Sequence, residues 1–185
     1  EAFDTRPVVA EQVQSLGGKF VEIDLGETGQ TKDGYAQALT PEQLELQRLG
    51  MKDVISESDI VITTAQLFGR PAPRIITADM VAAMKKGGVI VDMAVDSGGN
   101  VEGSKPDETV EIDGVSIIGM ANLPSQVSSD ASQMYSSNLY NLVSEYWDEE
   151  NKIFNLDLED DILKGCVITH DGGLVNEAIK NIRGS

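Results

Sequence analysis

An α/β protein built on a doubly wound, mostly parallel sheet of the Rossmann-like class is what this sequence predicts, on three observations. Short β-branched runs at residues 59–63 (DIVIT) and 89–93 (VIVDM) alternate too little for half-exposed strands, so they read as strands buried on both faces. Helical patterns closed by the pairs Gly17-Gly18 and Gly87-Gly88 separate the runs, giving the strand, helix, strand rhythm of right-handed crossovers. Each run then exits into small, acidic or glycine-bearing residues, and that is the edge at which open parallel sheets bind ligands.

Taken in order, residues 1–4 read as the end of a strand. Thr5, Arg6 and Pro7 open a helix with Val8, Val9, Val13 and Leu16 on one side, and Gly17 and Gly18 stop it. Residues 19–24 (KFVEID) read as the next strand. Pattern then disappears from 25 to 40, a connection longer than compact domains usually carry and therefore a candidate functional loop. Within it Gly34 and Tyr35 set one aromatic among small residues, which suits either a clamp over a ligand or a side chain that packs the loop down. Thr40, Pro41 and Gln43 form a capping box for a helix that runs to about Ser56.

After the run at 59–63, residues 70–73 (RPAP) are stiff and extended, and Thr77 with Asp79 starts a helix through Met84. The strand at 89–93 leaves into AVDSGGN. Residues 110–112 and 115–118 form a hairpin, or an edge strand followed by a last sheet strand. From 125 to 147 a long helix spaces Val127, Ala131, Met134, Tyr135, Asn138, Leu142 and Tyr146 as a packing stripe. A strand candidate at 152–156, an acidic turn, residues 165–169 and a weak helix at 174–182 complete the chain. The expected division is a Rossmann-like domain at 1–124 and a connecting helix with a returning arm at 125–185.

Composition removes several function classes. A net charge of −17 over 185 residues repels nucleic-acid backbones and anionic lipid surfaces, so no nucleic-acid partner is expected. The acidic clusters at 148–150 and 159–161 read as solvated faces. The one cysteine, Cys166, excludes an internal disulfide framework and reads as a small buried hydrophobe in a reducing compartment. With one histidine, His170, and no partner for it at metal-ligand spacing, no metal site is expected. Neither a membrane span nor a secretory signal is visible, and the chain reads as soluble.

The sharpest chemical clue is Asp4. In dinucleotide-binding sheets an acidic residue at the end of the second strand accepts from the adenosine ribose hydroxyls, and its charge repels the 2′-phosphate of NADP. The glycine-rich phosphate turn then belongs roughly 20 residues earlier, before residue 1, and no G-x-G-x-x-G follows a strand in this chain. The first strand and glycine turn are therefore expected to be missing. Asp4-Thr5-Arg6, Thr64-Ala65-Gln66 and residues 92–99 open on one edge of the sheet, with the Tyr35 loop beside them. No Ser-His-Asp set or paired carboxylates appear, and hydride transfer requires neither, because the cofactor carries the reactive bond.

DTRP at residues 4–7, LGGKF at 16–20, GYA at 34–36, ITTA and GRPAP across 62–73, VIVDMAVDSGGN at 89–100 and NLPS at 122–125 closely resemble the NAD(H)-binding domain of the proton-translocating nicotinamide nucleotide transhydrogenases, relatives of the alanine dehydrogenases. The resemblance implies a domain that binds NAD(H), dimerises and passes a hydride directly to NADP(H). The NADP(H) would sit on a second soluble domain, and a membrane domain would couple the exchange to proton movement. The domain would lie at the cytoplasmic or mitochondrial matrix face of that membrane. Asp4, Thr5 and Arg6 would line the adenosine end, Gly34 and Tyr35 would belong to a closing loop, and Gln47, Ala65 and Gln66 would complete the pocket.

Two departures stand out: Gln66 where an apolar residue is expected, and Asp96 where relatives often have Glu. The family's N-terminal domain is absent, so the chain is expected to be a fragment or to be completed by a separate chain, with residues 125–185 packing on that missing half. Two other readings share the fold: an alanine-dehydrogenase-like amino acid oxidoreductase with Asp96 near its substrate, and a non-catalytic NAD-binding module.

Overall fold

The structure, a computed structural model, describes residues 1–29, 37–67 and 69–184. It divides into two compact units, Glu1–Asn122 and Leu123–Ser185.

The first unit is built around a four-stranded sheet. Its strands are β1 (Ile60–Thr63), β2 (Val89–Asp92), β3 (Glu108–Ile112) and β4 (Val115–Gly119), in the order β1-β2-β4-β3. β1, β2 and β4 run parallel, with Ile60 opposite Val89 and Val89 opposite Ser116. β3 closes one edge as an antiparallel hairpin with β4, joined at Asp113-Gly114, both with positive φ. Both expected uses of residues 110–118 therefore occur together: a hairpin whose second arm is a parallel sheet strand.

Helices α1 (Val8–Ser15), α2 (Pro41–Glu57) and α3 (Ala78–Ala83) precede or follow these strands in the alternating order of an α/β fold. α2 starts where its sequence says it should. The Thr40 hydroxyl accepts from the Gln43 N–H while the Gln43 side chain accepts from the Thr40 N–H, with Pro41 at the first helical position. The core lies between one sheet face and helices α2 and α3: Ile55, Met80 and Val81 pack on Ile90, Val115 and Ile117, with Ile76, Met84 and Val101 completing it. Each fully buried aliphatic side chain of this kind contributes about 1.5–3 kcal/mol of transfer free energy.

The expectation for residues 59–63 is corrected. β1 pairs on one side only and forms an edge of this sheet, so Ile60 and Ile62 are 66% and 61% exposed while Thr63 is buried. An apolar run encodes a demand for burial, and here the described residues meet it on one face alone. The strand expected at 19–24 is likewise reduced to a single parallel bridge, Ala2 with Phe20, held by Ala2 N–H to the Lys19 carbonyl and Val21 N–H to the Ala2 carbonyl. Alternating Phe20 and Ile23 suit an extended chain, but a ladder needs a neighbour of matching length.

In the second unit, one short 3-10 turn, Leu123–Val127, leads into α4 (Ser128–Glu145). Two small hairpins follow, β5 (Trp147–Asp148) with β6 (Ile153–Phe154) and β7 (Thr169–His170) with β8 (Gly173–Leu174), with helices α5 (Asp161–Cys166) and α6 (Glu177–Gly184). Tyr146 and Phe154 meet edge to face with centroids 6.1 Å apart. Two readings change here. The α4 stripe buries none of its residues, and Cys166 is exposed rather than buried because it sits in the last turn of a short helix whose one buried side chain is Leu163.

Candidate functional site

The candidate residues fall into two constellations. The first follows the Ala2 bridge. Asp4 is held by Arg6 on both oxygens: Oδ1 accepts from the Arg6 N–H at 2.8 Å and Nε at 2.9 Å, and Oδ2 accepts from Nη2 at 2.8 Å. Burial pushes the Asp4 carboxyl upward, but the hydrogen bonds and charge of Arg6 outweigh it and hold the group below its ordinary range. The Thr5 carbonyl accepts from the Thr28 hydroxyl at 2.8 Å, tying this exit to the chain beyond residue 24. Between them lies a cleft of about 270 Å³ lined by Asp4, Thr5, Pro7, Phe20, Asp24 and Thr28.

The second constellation lies at the exits of β1 and β2. Asp92, the last residue of β2, is fully buried and accepts from the backbone N–H groups of Ala94, Asn100 and Val101 at 3.1, 3.1 and 3.2 Å. Thr63 places its hydroxyl 3.4 Å from the same carboxylate. Asn100, also fully buried, bonds the Ala65 N–H and carbonyl through its side chain, so Ala65 is anchored. Gln66, exposed, donates from Nε2 to the Met93 carbonyl at 3.3 Å and so bridges the two strand exits. Its departure from the family pattern is thus a surface hydrogen bond between loops.

Of the residues anticipated from sequence, Asp4 and Thr5 share one cleft, with Arg6 on the Asp4 carboxylate, and Ala65 and Gln66 share one strand exit. Gln47 is half-exposed on α2, one turn beyond Gln43 and on the same helix face. Neither Gln47, Ala65 nor Gln66 lines the Asp4 cleft among the described residues. Gly34 and Tyr35 lie outside the described residues. Sequence reasoning set Asp92 at the open edge without its role as a backbone acceptor, and missed Asn100, Thr28 and the second role of Gln43, whose Nε2 donates to the Leu25 and Glu27 carbonyls at 2.8 and 3.1 Å. The available signal was the acid ending an apolar strand and the Asn after a Gly pair. Among the described residues no cluster of His, Cys, Asp and Glu suits a metal ion.

A parallel sheet with helices packed on one face and its polar residues at the strands' carboxyl ends is the architecture of a Rossmann-like α/β domain. The sequence model of one family, described as alanine dehydrogenase/PNT, C-terminal domain, matches residues 1–177, and the chain belongs to that family. It is 41% identical to the NAD(P) transhydrogenase subunit alpha of Cereibacter sphaeroides over 94% of this chain and 34% of that protein. It is 43% identical to the NAD(P) transhydrogenase subunit alpha of Haemophilus influenzae, over 92% of this chain and 34% of that one. The crystal structure of transhydrogenase from Sinorhizobium meliloti superposes with a TM-score of 0.68 at 37% identity, covering 94% of this chain and 44% of that chain. The chain thus spans less than half the length of these relatives. No helix among the described residues is long and apolar enough to cross a membrane.

Proposed function

We propose that this chain is the NAD(H)-binding part of a proton-translocating transhydrogenase and transfers hydride directly between NAD(H) held here and NADP(H) held on a partner domain. The observation that carries this reading is Asp4: a carboxylate kept ionised at a strand exit, beside a cleft, in a chain whose relatives are transhydrogenase alpha subunits. A ribose diol needs a charged acceptor at such a position, and the residues present fit that end of a dinucleotide. The phosphate-cradling glycine turn is not among them.

Bound nicotinamide supplies the transferable hydride. The protein's part is orientation and exclusion of water. Asp4 accepts from the ribose hydroxyls, with Arg6 holding its carboxylate in one rotamer, and Thr5 lines the adenosine end. Ala65 and Gln66 border the other half of the nucleotide at the β1 exit. On this reading the domain works as a dimer, with the NADP(H)-binding and membrane domains of the same enzyme, at the cytoplasmic or matrix face. The second unit packs on the family's N-terminal domain, carried by the same protein or by a separate chain.

A fluorescence titration with NADH and, in parallel, NADPH tests the site. Saturable NADH binding with weak NADPH binding is expected. Binding of neither nucleotide by the full-length protein would remove the site from this edge of the sheet.

A further inference from the structure

We propose that Asn100 is a positioning residue of the nucleotide site, holding the Ala65 peptide at the β1 exit in one fixed orientation with Asp92 as its base. The inference rests on the proposed NAD(H) site.

Asn100 spends every hydrogen atom of its side-chain amide on this edge of the sheet. Nδ2 donates to the Ala65 carbonyl at 2.9 Å and to the Pro73 carbonyl at 2.8 Å, and Oδ1 accepts from the Ala65 N–H at 3.0 Å. Both backbone groups of Ala65 are therefore paired with one side chain, as a neighbouring strand would pair them. The Asn100 backbone is fixed in turn: its N–H donates to Asp92 Oδ1, and its carbonyl accepts from Ile75 and Ile76 at 2.8 and 3.0 Å. The β1 exit and the RPAP segment that follows it are joined to the DSGGN loop, 35 and 27 residues further on, at one buried residue.

The chemistry is selective for a primary amide of this length. A carboxylate at position 100 turns an acceptor toward two carbonyls, and an aliphatic side chain leaves the Ala65 and Pro73 groups without their side-chain partner. The anchor is fully buried while the chain it anchors surfaces at once, with Thr64 and Gln66 exposed and Ala65 half-buried. That combination suits a rigid support beneath a ligand-facing loop, because a peptide ordered before binding spares the ligand the cost of ordering it.

The test compares Asn100→Asp, Asn100→Ala and the core variant Val81→Ala in the full-length protein, by NADH fluorescence titration from pH 5 to 8 with folding followed by circular dichroism. Asn100→Ala is expected to weaken NADH binding roughly 10-fold at every pH. Asn100→Asp is expected to weaken it as much at pH 8 and to recover part of the loss toward pH 5. Burial and the neighbouring Asp92 carboxylate raise the new acid's pKa, and its protonated form regains one donor. Val81→Ala lowers the melting temperature and leaves the affinity alone.

Wild-type affinity in both Asn100 variants, or an equal loss in Val81→Ala, overturns the positioning role. Failure of the unmutated protein to bind NADH overturns the nucleotide site itself and this role with it. A measurement without substitution guards against variants that do not fold: the Ala65 amide should resist hydrogen exchange before NADH is added and more so after. Free exchange of Ala65 in the unliganded protein overturns the proposal.

Discussion

Arg6 binds the carboxylate of Asp4, two residues before it, through its backbone N–H and its guanidinium together, so the acid and the base at this strand exit form one unit. The pair is partly open to water, with side-chain exposures of 25% for Asp4 and 33% for Arg6, so it adds little to the stability of the fold. A carboxylate has acceptor sites beyond the three that Arg6 occupies, which leaves room on Oδ2 for a ligand hydroxyl.

If the Asp4 cleft is the adenosine site, removing Asp4 does two things to nucleotide binding. Asp4→Ala deletes the charged acceptor, worth about 1.5–3 kcal/mol or roughly 10-fold to 100-fold in NADH affinity. It also removes the negative charge that would repel a 2′-phosphate. Parallel titrations should show weaker NADH binding and a smaller preference over NADPH. Because the Asp4 pKa lies below its ordinary value, its contribution holds through neutral pH and fades only as pH falls through that lowered value. Unchanged affinity and selectivity would take Asp4 out of the site.

Gly99 is the tightest point of the DSGGN loop. A Cβ there would sit 2.6 Å from Asp92 Oδ2, and its φ of +77° is one that L side chains rarely adopt. Gly99→Ala is expected to destabilise the protein by about 1–3 kcal/mol, through strain and a displaced buried carboxylate. Urea unfolding with an unchanged midpoint would show that the loop relaxes around the methyl group.

What could be read from the sequence followed the range of the interaction. The α2 capping box was legible because Thr40 and Gln43 are three residues apart and share one local geometry. The strand expected at residues 1–4 shrank to the Ala2 bridge, because its pairing partner, Phe20, is not local. Edge or centre for β1 was not legible either, because a strand's apolar run states how much it should be buried and not which neighbours supply the burial. Asn100 was passed over as part of a glycine-rich exit. Its partner Ala65 lies 35 residues away, and no local pattern marks a side chain that pairs with a distant peptide.

In the second unit, the Tyr146 hydroxyl donates to Asp160 Oδ1 at 2.6 Å, and Asp160 also caps α5 by accepting from the Ile162 and Leu163 N–H groups. The Asp160 bond, aided by desolvation, pushes Tyr146 up to about 12, and the same bond lowers Asp160. Tyr146 therefore contributes its full stabilisation below the ordinary tyrosine pKa of about 10 and loses it as pH rises through the shifted value. On the acid side, the contribution of Asp160 is present above its ordinary pKa of about 4 and is lost as pH falls through the lowered value. An alkaline ultraviolet titration should show a late phenolate step that Tyr146→Phe removes. Persistence of that step in the variant would assign it elsewhere.

Gln43 separates two tasks that the sequence shows as one. Its Oε1 closes the capping box on the Thr40 N–H at 2.9 Å, while its Nε2 reaches back to the Leu25 and Glu27 carbonyls. Gln43→Glu keeps an acceptor for the cap, and a Glu serves that position as well as a Gln does. It also turns an oxygen toward two carbonyls and so removes the tie on the segment that carries Leu25, Gly26 and Thr28 along the Asp4 cleft. The expected loss is about 1–3 kcal/mol in urea unfolding, with helix content preserved, because donor groups and not the cap are lost. Thr40→Ala is the complementary case, costing about 1 kcal/mol through the cap while leaving the tie in place. If the cleft is the adenosine site, Gln43→Glu weakens NADH binding and Thr40→Ala does not. Equal losses in the two variants would mean that the start of α2, rather than the anchored segment, shapes the cleft.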